Sequence, residues 1–163
     1  STLLALAKPF GWRMLASDPN VPAPVMASLG AEKADFSQLL AASDFVVASL
    51  ILNEHTRHWF NAKAFAMMKR EAFFINVARG GVVDESALIH ALEQRQIAGA
   101  GLDVFEQEPI APDNPLLNMD QVLLSPHALC WTDECFDAIA REGLGNVIAF
   151  SRGEHPPSVV KPE

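Results

Sequence analysis

Short apolar runs alternate along this chain with stretches of helical spacing, and this alternation constrains the fold more than any other feature. Phe45–Leu50 (FVVASL) and Ala72–Val77 (AFFINV) are runs of the kind found in buried parallel strands. Trp12–Ser17, Ile97–Val104 and Gln121–Leu124 are further strand-like runs. Alternating strands and helices predict right-handed β-α-β units. The sequence therefore predicts an α/β fold with a doubly wound parallel sheet and helices on both faces.

The segments between these runs carry local signals for helices. Gly11 and Gly30 follow apolar helical stretches, as glycines that end helices do. After Asp84, apolar residues recur at helical spacing, and Thr132 is a suitable cap for a long amphipathic helix. The predicted helices cover Thr2–Ala7, Pro22–Leu29, Phe36–Ala42, Asn61–Met68, a segment starting at Asp84, and Thr132–Ser151.

Composition and charge exclude several classes of protein. Half of the 163 residues are hydrophobic and a fifth are charged, as in ordinary globular proteins. The net charge of −8 repels phosphate backbones, so we expect no nucleic-acid partner. The longest apolar stretch, Phe45–Leu52, is too short to span a bilayer, and no signal-peptide pattern opens the chain. We therefore expect no membrane association.

Cysteine and histidine spacing predicts neither a disulfide nor a metal site. Cys130 and Cys135 lie five residues apart in a predicted helix, which turns their side chains away from each other. Free thiols fit a reducing, cytoplasmic location. A zinc site at His127 and these cysteines would lack a fourth ligand. His55 and His58 form an HxxH pair without a third ligand nearby, and we expect both on the surface.

Three apolar runs lead into residues that are suited to catalysis. Arg79 follows AFFINV and two glycines come next, which would let the backbone approach a ligand closely. An acidic loop follows the run that ends at Val104, and the pattern does not choose between Glu106 and Glu108. His127 follows LLSP. Ligands of open α/β sheets bind outside the carboxyl ends of the strands, so these groups could converge on one small acid.

Each of these residues also has an ordinary structural interpretation. Arg79 could be a surface arginine paired with Asp84 or Glu85, and a single histidine is more often structural than catalytic. A guanidinium at the end of an apolar strand nevertheless suits a carboxylate, which it can hold with two parallel hydrogen bonds. A histidine beside a carboxylate can move a proton near neutral pH. Together these groups favour chemistry on a 2-oxo or 2-hydroxy acid.

Two aspartates are candidates for cofactor binding. Asp18 directly follows the first strand-like run, where an acidic residue can accept hydrogen bonds from ribose hydroxyls and disfavour a 2′-phosphate. Its structural alternative is a turn aspartate before Pro19. Asp103 lies near the end of a strand rich in small residues, where it could meet a ribose or a nicotinamide.

The motifs together resemble the D-isomer-specific 2-hydroxyacid dehydrogenase family. INVARGGVVDESALIHALEQRQIAGAGLDVFEQEP followed by LLSPHALCWTDE is similar to that family's signature almost throughout, and the similarity runs from Ser1 to about Pro162. The resemblance implies a Rossmann-like domain that binds NAD and a small 2-oxo or 2-hydroxy acid as substrate. It also implies a homodimer formed through the nucleotide domains.

The resemblance assigns roles to individual residues. It implies that Arg79 binds the substrate carboxylate and carbonyl, that His127 is the general acid/base, and that Glu108 is the partner of His127. It further implies cofactor contacts from the residues around these motifs: Asp18, Leu50, Ile51, Thr56, Val77, Ala78, Arg79, Asp103 and His127. One departure concerns the run after Phe45, where Ser49-Leu50-Ile51 replaces the family's usual His-x-Pro element.

The same resemblance predicts how the chain is organised. We expect residues 1–152 to be a dinucleotide-binding domain and residues 153–163 a C-terminal tail. Family members begin this domain with a strand and a Gly-rich loop, and Ser1 falls where that loop would end. We therefore expect the chain to begin inside a larger protein, without the substrate domain, and to turn over nothing by itself.

Two relatives of different function remain as alternatives. One is an NADH-sensing protein of the same fold that acts as a transcriptional corepressor, because such a protein can retain Arg79, Glu108 and His127. The other is a formate dehydrogenase, which pairs its histidine with a glutamine, so that Glu108 argues against it. The preferred prediction is an NAD-dependent D-2-hydroxyacid dehydrogenase.

Overall fold

The computed structural model describes residues 2–159, and the chain divides after Pro126 into two compact units. The strands of the first unit are β1 (Leu15–Ala16), β2 (Glu32–Lys33), β3 (Phe45–Ala48), β4 (Phe73–Asn76), β5 (Gly99–Leu102) and β6 (Val122–Leu124). Its α-helices are α1 (Thr2–Ala7), α2 (Ala23–Ser28), α3 (Phe36–Ala42), α4 (Ala62–Met67) and α5 (Glu85–Glu93). Short 3-10 helices lie at Lys8–Phe10, Gly80–Val82 and Pro115–Asn118.

The strands pair in parallel, as the alternation of elements predicts. β1 and β2 form one two-stranded sheet, and β3, β4, β5 and β6 form a four-stranded sheet in that order. In the larger sheet Ala48 is level with Asn76, and Asn76 is level with Leu102. The carboxyl ends of β3, β4 and β5 therefore lie side by side at one edge. The prediction of an α/β fold with a parallel sheet is confirmed.

One face of the larger sheet forms the core of the first unit. Val46 and Phe74, which are level with each other, are fully buried and belong to the same hydrophobic cluster as Phe65 of α4 and Leu88 of α5. Burial of such side chains is the main source of stability in a domain of this size. The position of β4 is fixed because Phe74 contacts both Phe60 and Phe65 through its ring.

The opposite face of the same sheet is only partly covered. Phe45 is 52 % exposed, Phe73 is 41 % exposed and Leu123 is 78 % exposed. The rings of Phe45 and Phe73 stack on each other with centroids 5.7 Å apart. The expectation of strands buried on both faces is therefore wrong for these positions, since their apolar runs do not show which face is covered.

The limits of several strands differ from those expected. The strand predicted at Trp12–Ser17 comprises only Leu15–Ala16, and the longer runs shrink to the residues that share a ladder with their neighbours. Strand β2 was not predicted, because Glu32–Lys33 is short, charged and exposed. It pairs with β1, and the side chains of Arg13 and Glu32 form an ion pair at 2.7 Å beside this pairing.

The second unit contains the long helix α6 (Asp133–Ser151). The hydroxyl of Thr132 accepts a hydrogen bond from the amide of Cys135, which confirms Thr132 as the cap. No side chain of α6 is buried, and Phe136, Ile139 and Phe150 are each more than half exposed. The cysteines of this unit, Cys130 and Cys135, are both free thiols. Among residues 2–159, no helix is both long and apolar enough to cross a membrane.

We predict that Asp84→Ala lowers the free energy of unfolding by about 1 kcal/mol at neutral pH, because Asp84 caps α5. Its carboxylate accepts hydrogen bonds from the Ser86 hydroxyl and the Ala87 amide. Both bonds lower the pKa of Asp84 below its ordinary value of 3.8, and the bond from the hydroxyl has the larger effect. A carboxyl whose pKa is lowered by folding stabilises the fold above its unfolded pKa and loses that contribution as the pH falls through its folded pKa.

The measurement is urea denaturation of wild type and variant at neutral pH and at pH values below 3.8. The difference in free energy of unfolding between wild type and variant should become smaller as the pH is lowered. Asp84→Asn is the matched control, since asparagine also caps helices and should cost less. A difference in free energy of unfolding that does not depend on pH would contradict the role of the charge.

Candidate functional site

A buried asparagine shapes the segment that carries Arg79. Asn76, the last residue of β4, is 1 % exposed. Its side-chain oxygen accepts a hydrogen bond from the Ala78 amide at 3.0 Å, and its side-chain nitrogen donates to the Arg79 carbonyl at 3.1 Å. A buried polar group is costly unless it is hydrogen-bonded, and here the bonds also fix the backbone beyond the strand. Asn76 therefore sets the course of the chain through Arg79.

The next residue, Gly80, lies against the loop that follows β5. A Cβ atom built on Gly80 would lie 1.8 Å from the carbonyl oxygen of Phe105, so no larger residue fits there. The sequence predicted that the two glycines would let a ligand approach. For Gly80 the neighbour is the backbone of Phe105, while a Cβ on Gly81 would meet Leu52 at 3.1 Å. The glycines therefore bring protein segments together.

The segment after β3 forms a closed turn. The hydroxyl of Thr56 donates to the Ile51 carbonyl at 2.6 Å and accepts from the Asn53 amide at 2.8 Å. The side-chain oxygen of Asn53 accepts from the amides of His55 and Thr56. Such side-chain bonds to the local backbone give a loop a defined shape. Thr56 thereby holds the backbone at Ile51.

A cavity of about 540 Å³ opens at the carboxyl ends of β3 and β4. Its walls are two short segments: Ser49, Leu50, Ile51 and Leu52 on one side, and Val77, Ala78 and Arg79 on the other. Ile51 is 79 % exposed and Val77 is 41 % exposed, so the cavity presents apolar surface beside a guanidinium. The structure thus brings together five residues that the sequence named as candidates: Leu50, Ile51, Val77, Ala78 and Arg79.

The guanidinium of Arg79 lies at the wall of this cavity. Its Nη1 donates a hydrogen bond to the carbonyl of Ala78 at 2.6 Å. The acids considered as its structural partners bind other groups: Asp84 caps α5, and Glu85 accepts from the Glu106 amide and from Asn114. The arrangement therefore leaves the Arg79 side chain exposed at the cavity.

The loop after β5 supplies two further candidates. Asp103 is 6 % exposed, and its amide donates to the carbonyl of Asn76 at 3.1 Å, which ties it to the end of β4. The carboxylate of Glu108 accepts a hydrogen bond from the Phe105 amide at 3.0 Å. Glu106, the alternative to Glu108 in the sequence, pairs with His58 and accepts from the Glu85 amide.

Asp18 and His127 are the remaining candidates. Asp18 is exposed after β1, and its carboxylate accepts the Asn20 amide at 2.8 Å, as expected of a turn aspartate. His127 is the first residue of the second unit and adopts a left-handed backbone with φ of +54°. Within residues 2–159 no group of three or more His, Cys, Asp or Glu side chains is placed to hold a metal ion.

Sequence reasoning missed the role of Asn76 and the pairing of His58 with Glu106, although His58 lies at the surface as expected. In the sequence Asn76 is only the one polar residue of AFFINV, and this does not indicate that its side chain bonds the backbone beyond the strand. The pairing of His58 with Glu106 joins residues 48 positions apart, and no local pattern reveals such a contact.

A parallel α/β sheet with a cavity at the carboxyl ends of its strands is the architecture of nucleotide-binding domains. Residues 1–128 match the family model described as "D-isomer specific 2-hydroxyacid dehydrogenase, NAD binding domain". The chain belongs to this family, as its motifs predicted.

Known relatives agree with this assignment. A glyoxylate reductase of Korarchaeum cryptofilum is 45 % identical over 157 residues, which are 96 % of this chain and 47 % of the relative. A D-3-phosphoglycerate dehydrogenase of Methanocaldococcus jannaschii is 39 % identical over 94 % of this chain and 29 % of its own length. The crystal structure of a D-lactate dehydrogenase with NAD+ from Lactobacillus jensenii matches with a TM-score of 0.87 at 31 % identity, covering 99 % of this chain and 52 % of that chain.

The chain spans about half the length of the glyoxylate reductase and of the lactate dehydrogenase. The family, the fold and the NAD-binding character are therefore established for this chain. The reaction of the whole protein and its substrate are matters of proposal.

We predict that Gly80→Ala lowers the free energy of unfolding by about 1–3 kcal/mol, because the added methyl group would force the Arg79 segment away from Phe105. Gly101→Ala is the matched control in the same sheet, since its Cβ would meet Ile75 at an ordinary 3.8 Å. Denaturant unfolding of both variants measures the difference. Equal stability of the two variants would show that the close contact of Gly80 does not constrain the fold.

Proposed function

We propose that the protein containing this chain is an NAD-dependent oxidoreductase that interconverts a small 2-oxo acid and the corresponding D-2-hydroxy acid. The observation that carries the proposal is the exposed guanidinium of Arg79 at the wall of an apolar cavity. In a chain of net charge −8, the cationic Arg79 at such a cavity would selectively attract a small carboxylate.

The residues around the cavity fit the nicotinamide end of a dinucleotide. Exposed Ile51 and Val77 offer apolar surface to a flat ring, and the backbone at Ala78 is fixed by Asn76. The volume of about 540 Å³ lies in the range of small-molecule sites. We assign further contacts to Leu50, Thr56 and Asp103, and ribose binding to Asp18. The carboxylate of Asp18 would favour NAD over its 2′-phosphorylated form.

The proposed mechanism follows from the chemistry of three side chains. NADH, when bound, supplies the hydride that becomes bonded to C2 of the oxo acid. Arg79 holds the substrate carboxylate and offsets the negative charge that grows on the carbonyl oxygen. His127 donates a proton to that oxygen, which gives the hydroxyl group. Glu108 stabilises the protonated imidazole, a role supported by its place in the FEQEP motif.

The relatives narrow the class of substrate. Their names include glyoxylate reductase, D-lactate dehydrogenase and D-3-phosphoglycerate dehydrogenase, all of which refer to small 2-oxo or 2-hydroxy acids. The glyoxylate reductases share the higher identity, so glyoxylate is the first acid to test. We also propose a homodimer on the family resemblance, and a reducing, cytoplasmic location because Cys130 and Cys135 are free.

We predict that the longest available form of the protein oxidises NADH in the presence of one member of a panel of 2-oxo acids, and that His127→Ala lowers this turnover about a hundredfold or more. NADH affinity, measured by fluorescence titration, should change little, because the proton donor is not needed to hold the cofactor. NADH binding without turnover of any acid would contradict the enzymatic proposal and favour an NADH-binding sensor. Undiminished turnover in the variant would remove His127 from its role.

We predict that Arg79→Ala raises KM for the oxo acid at least about tenfold, since a charge-assisted hydrogen bond to a carboxylate is lost. The dissociation constant of NADH should change much less. Arg70→Ala is the matched control, because it removes an exposed arginine from the turn before β4, at the amino end of the strand. A selective loss of NADH affinity in Arg79→Ala would assign the guanidinium to the cofactor instead.

A further inference from the structure

Three side chains connect separate loops of the first unit, and we call His58, Glu85 and Glu106 the brace. His58 Nε2 contacts Glu106 Oε1. The other carboxylate oxygen of Glu106 accepts the Glu85 amide at 3.3 Å, and the Glu85 carboxylate accepts the Glu106 amide at 3.1 Å. Asn114 donates to Glu85 at 2.7 Å and extends the brace.

On one side, the brace is attached to the segment that carries Arg79. The amide of His58 donates to the Gly81 carbonyl at 2.9 Å, and the amide of Phe60 donates to the Val82 carbonyl at 3.0 Å. His58 adopts a left-handed backbone with φ of +51°. Its imidazole therefore extends from a short backbone pairing that begins two residues after Arg79.

On the other side, the brace is attached to the loop that carries Glu108. Glu106 directly follows Phe105, whose carbonyl lies against Gly80 and whose amide donates to the Glu108 carboxylate at 3.0 Å. A shift of Glu106 would therefore move both Phe105 and the group bonded to it. The brace and the Gly80 contact hold the same two segments together at neighbouring points.

We propose that His58 and Glu106 are positioning residues, whose pairing fixes the Arg79 segment relative to the Glu108 loop so that both groups meet one substrate. This inference rests on the proposed function, since Arg79 and Glu108 are the groups that the pairing would position. A displacement of about 1 Å in a positioned group can lower a rate about a hundredfold, so a modest brace can matter for turnover.

A purely structural role as a helix cap explains less of this arrangement. Helix α5 already has a cap in Asp84, which accepts the Ala87 amide at 3.0 Å. The contact with His58 lies outside α5 and joins residues 48 positions apart. The side chains of His58 and Glu106 are 44 % and 34 % exposed, whereas those of the neighbouring pair His55–Glu54 are 82 % and 84 % exposed. A half-exposed pair adds little to global stability, so its loss should mainly change local geometry.

The first test is kinetic and uses the longest available form of the protein. Glu106→Ala and His58→Asn should each lower kcat about tenfold, with a smaller change in KM, because the brace aligns groups rather than binding substrate. Asparagine tolerates the left-handed backbone at position 58. Glu106→Gln keeps an acceptor for the Glu85 amide and should restore part of the loss. Asp44→Asn is the control, since it breaks another long-range ion pair, with Lys69 at 2.8 Å, at the opposite end of the strands.

The second test does not depend on activity. Amide hydrogen exchange in the chain itself should become faster at residues 79–84 and 105–108 together in Glu106→Ala and in His58→Asn, and should be unchanged there in Asp44→Asn. Faster exchange confined to the first turn of α5 would overturn the inference in favour of a helix cap. Unchanged kcat in both brace variants of an active enzyme would overturn it as well. If the wild type turned over no acid, the proposed function would fail, while the exchange pattern would still decide whether the brace couples the two segments.

Discussion

The contact between the backbones of Gly80 and Phe105 is the constraint on which the rest of the site depends. It brings the loop after β4 against the loop after β5, so that Arg79 and Glu108 belong to one rim of the sheet. No side chain fits between the two backbones, and the distance is therefore set by hard contact rather than by a flexible side chain. Other bonds in this region, including those of the brace, act on segments that this contact has already brought together.

Asn76, the last residue of β4, holds the same segment in place through its side chain. Its side-chain amide bonds the Ala78 N–H and the Arg79 carbonyl, two backbone groups beyond the end of the strand. Its backbone carbonyl accepts a hydrogen bond from the Asp103 amide. A hydrophobic residue at this position would fill the space but leave those backbone groups without partners, which is the more costly outcome in a buried place. The side chain therefore continues the hydrogen-bonding of the sheet for three residues after β4 ends, and Arg79 leaves the sheet in a fixed direction.

The sequence predicted the parts of this structure that local chemistry decides. Thr132 caps α6 as expected, and a helix starts at Asp84 as expected, with that residue as its cap, because a cap needs only residues within one turn. Five cavity residues were named in advance, since strand ends and family motifs point to the same edge of the sheet. The charged strand β2 and the pairing of His58 with Glu106 depend on neighbours far away in sequence, which a local pattern does not contain. The side-chain bonds of Asn76 are local, but a single polar residue in an apolar run does not indicate them. The role of His127 remains a prediction, as do those of Arg79 and Glu108.

The two ends of the sheet differ in the kind of interaction that they carry. At the amino ends, Phe45 and Phe73 stack with centroids 5.7 Å apart, and Trp12 stacks on Phe45 at 5.8 Å. At the carboxyl ends lie Asn76 and Asp103, the buried polar residues of the described part of the chain. Aromatic pairs add about 0.5–1.5 kcal/mol beyond their buried area, and a satisfied hydrogen bond contributes a similar net amount, about 0.5–1.5 kcal/mol. The carboxyl ends also hold the exposed apolar side chains of Ile51 and Val77 beside the Arg79 guanidinium, a surface that a ligand is suited to cover.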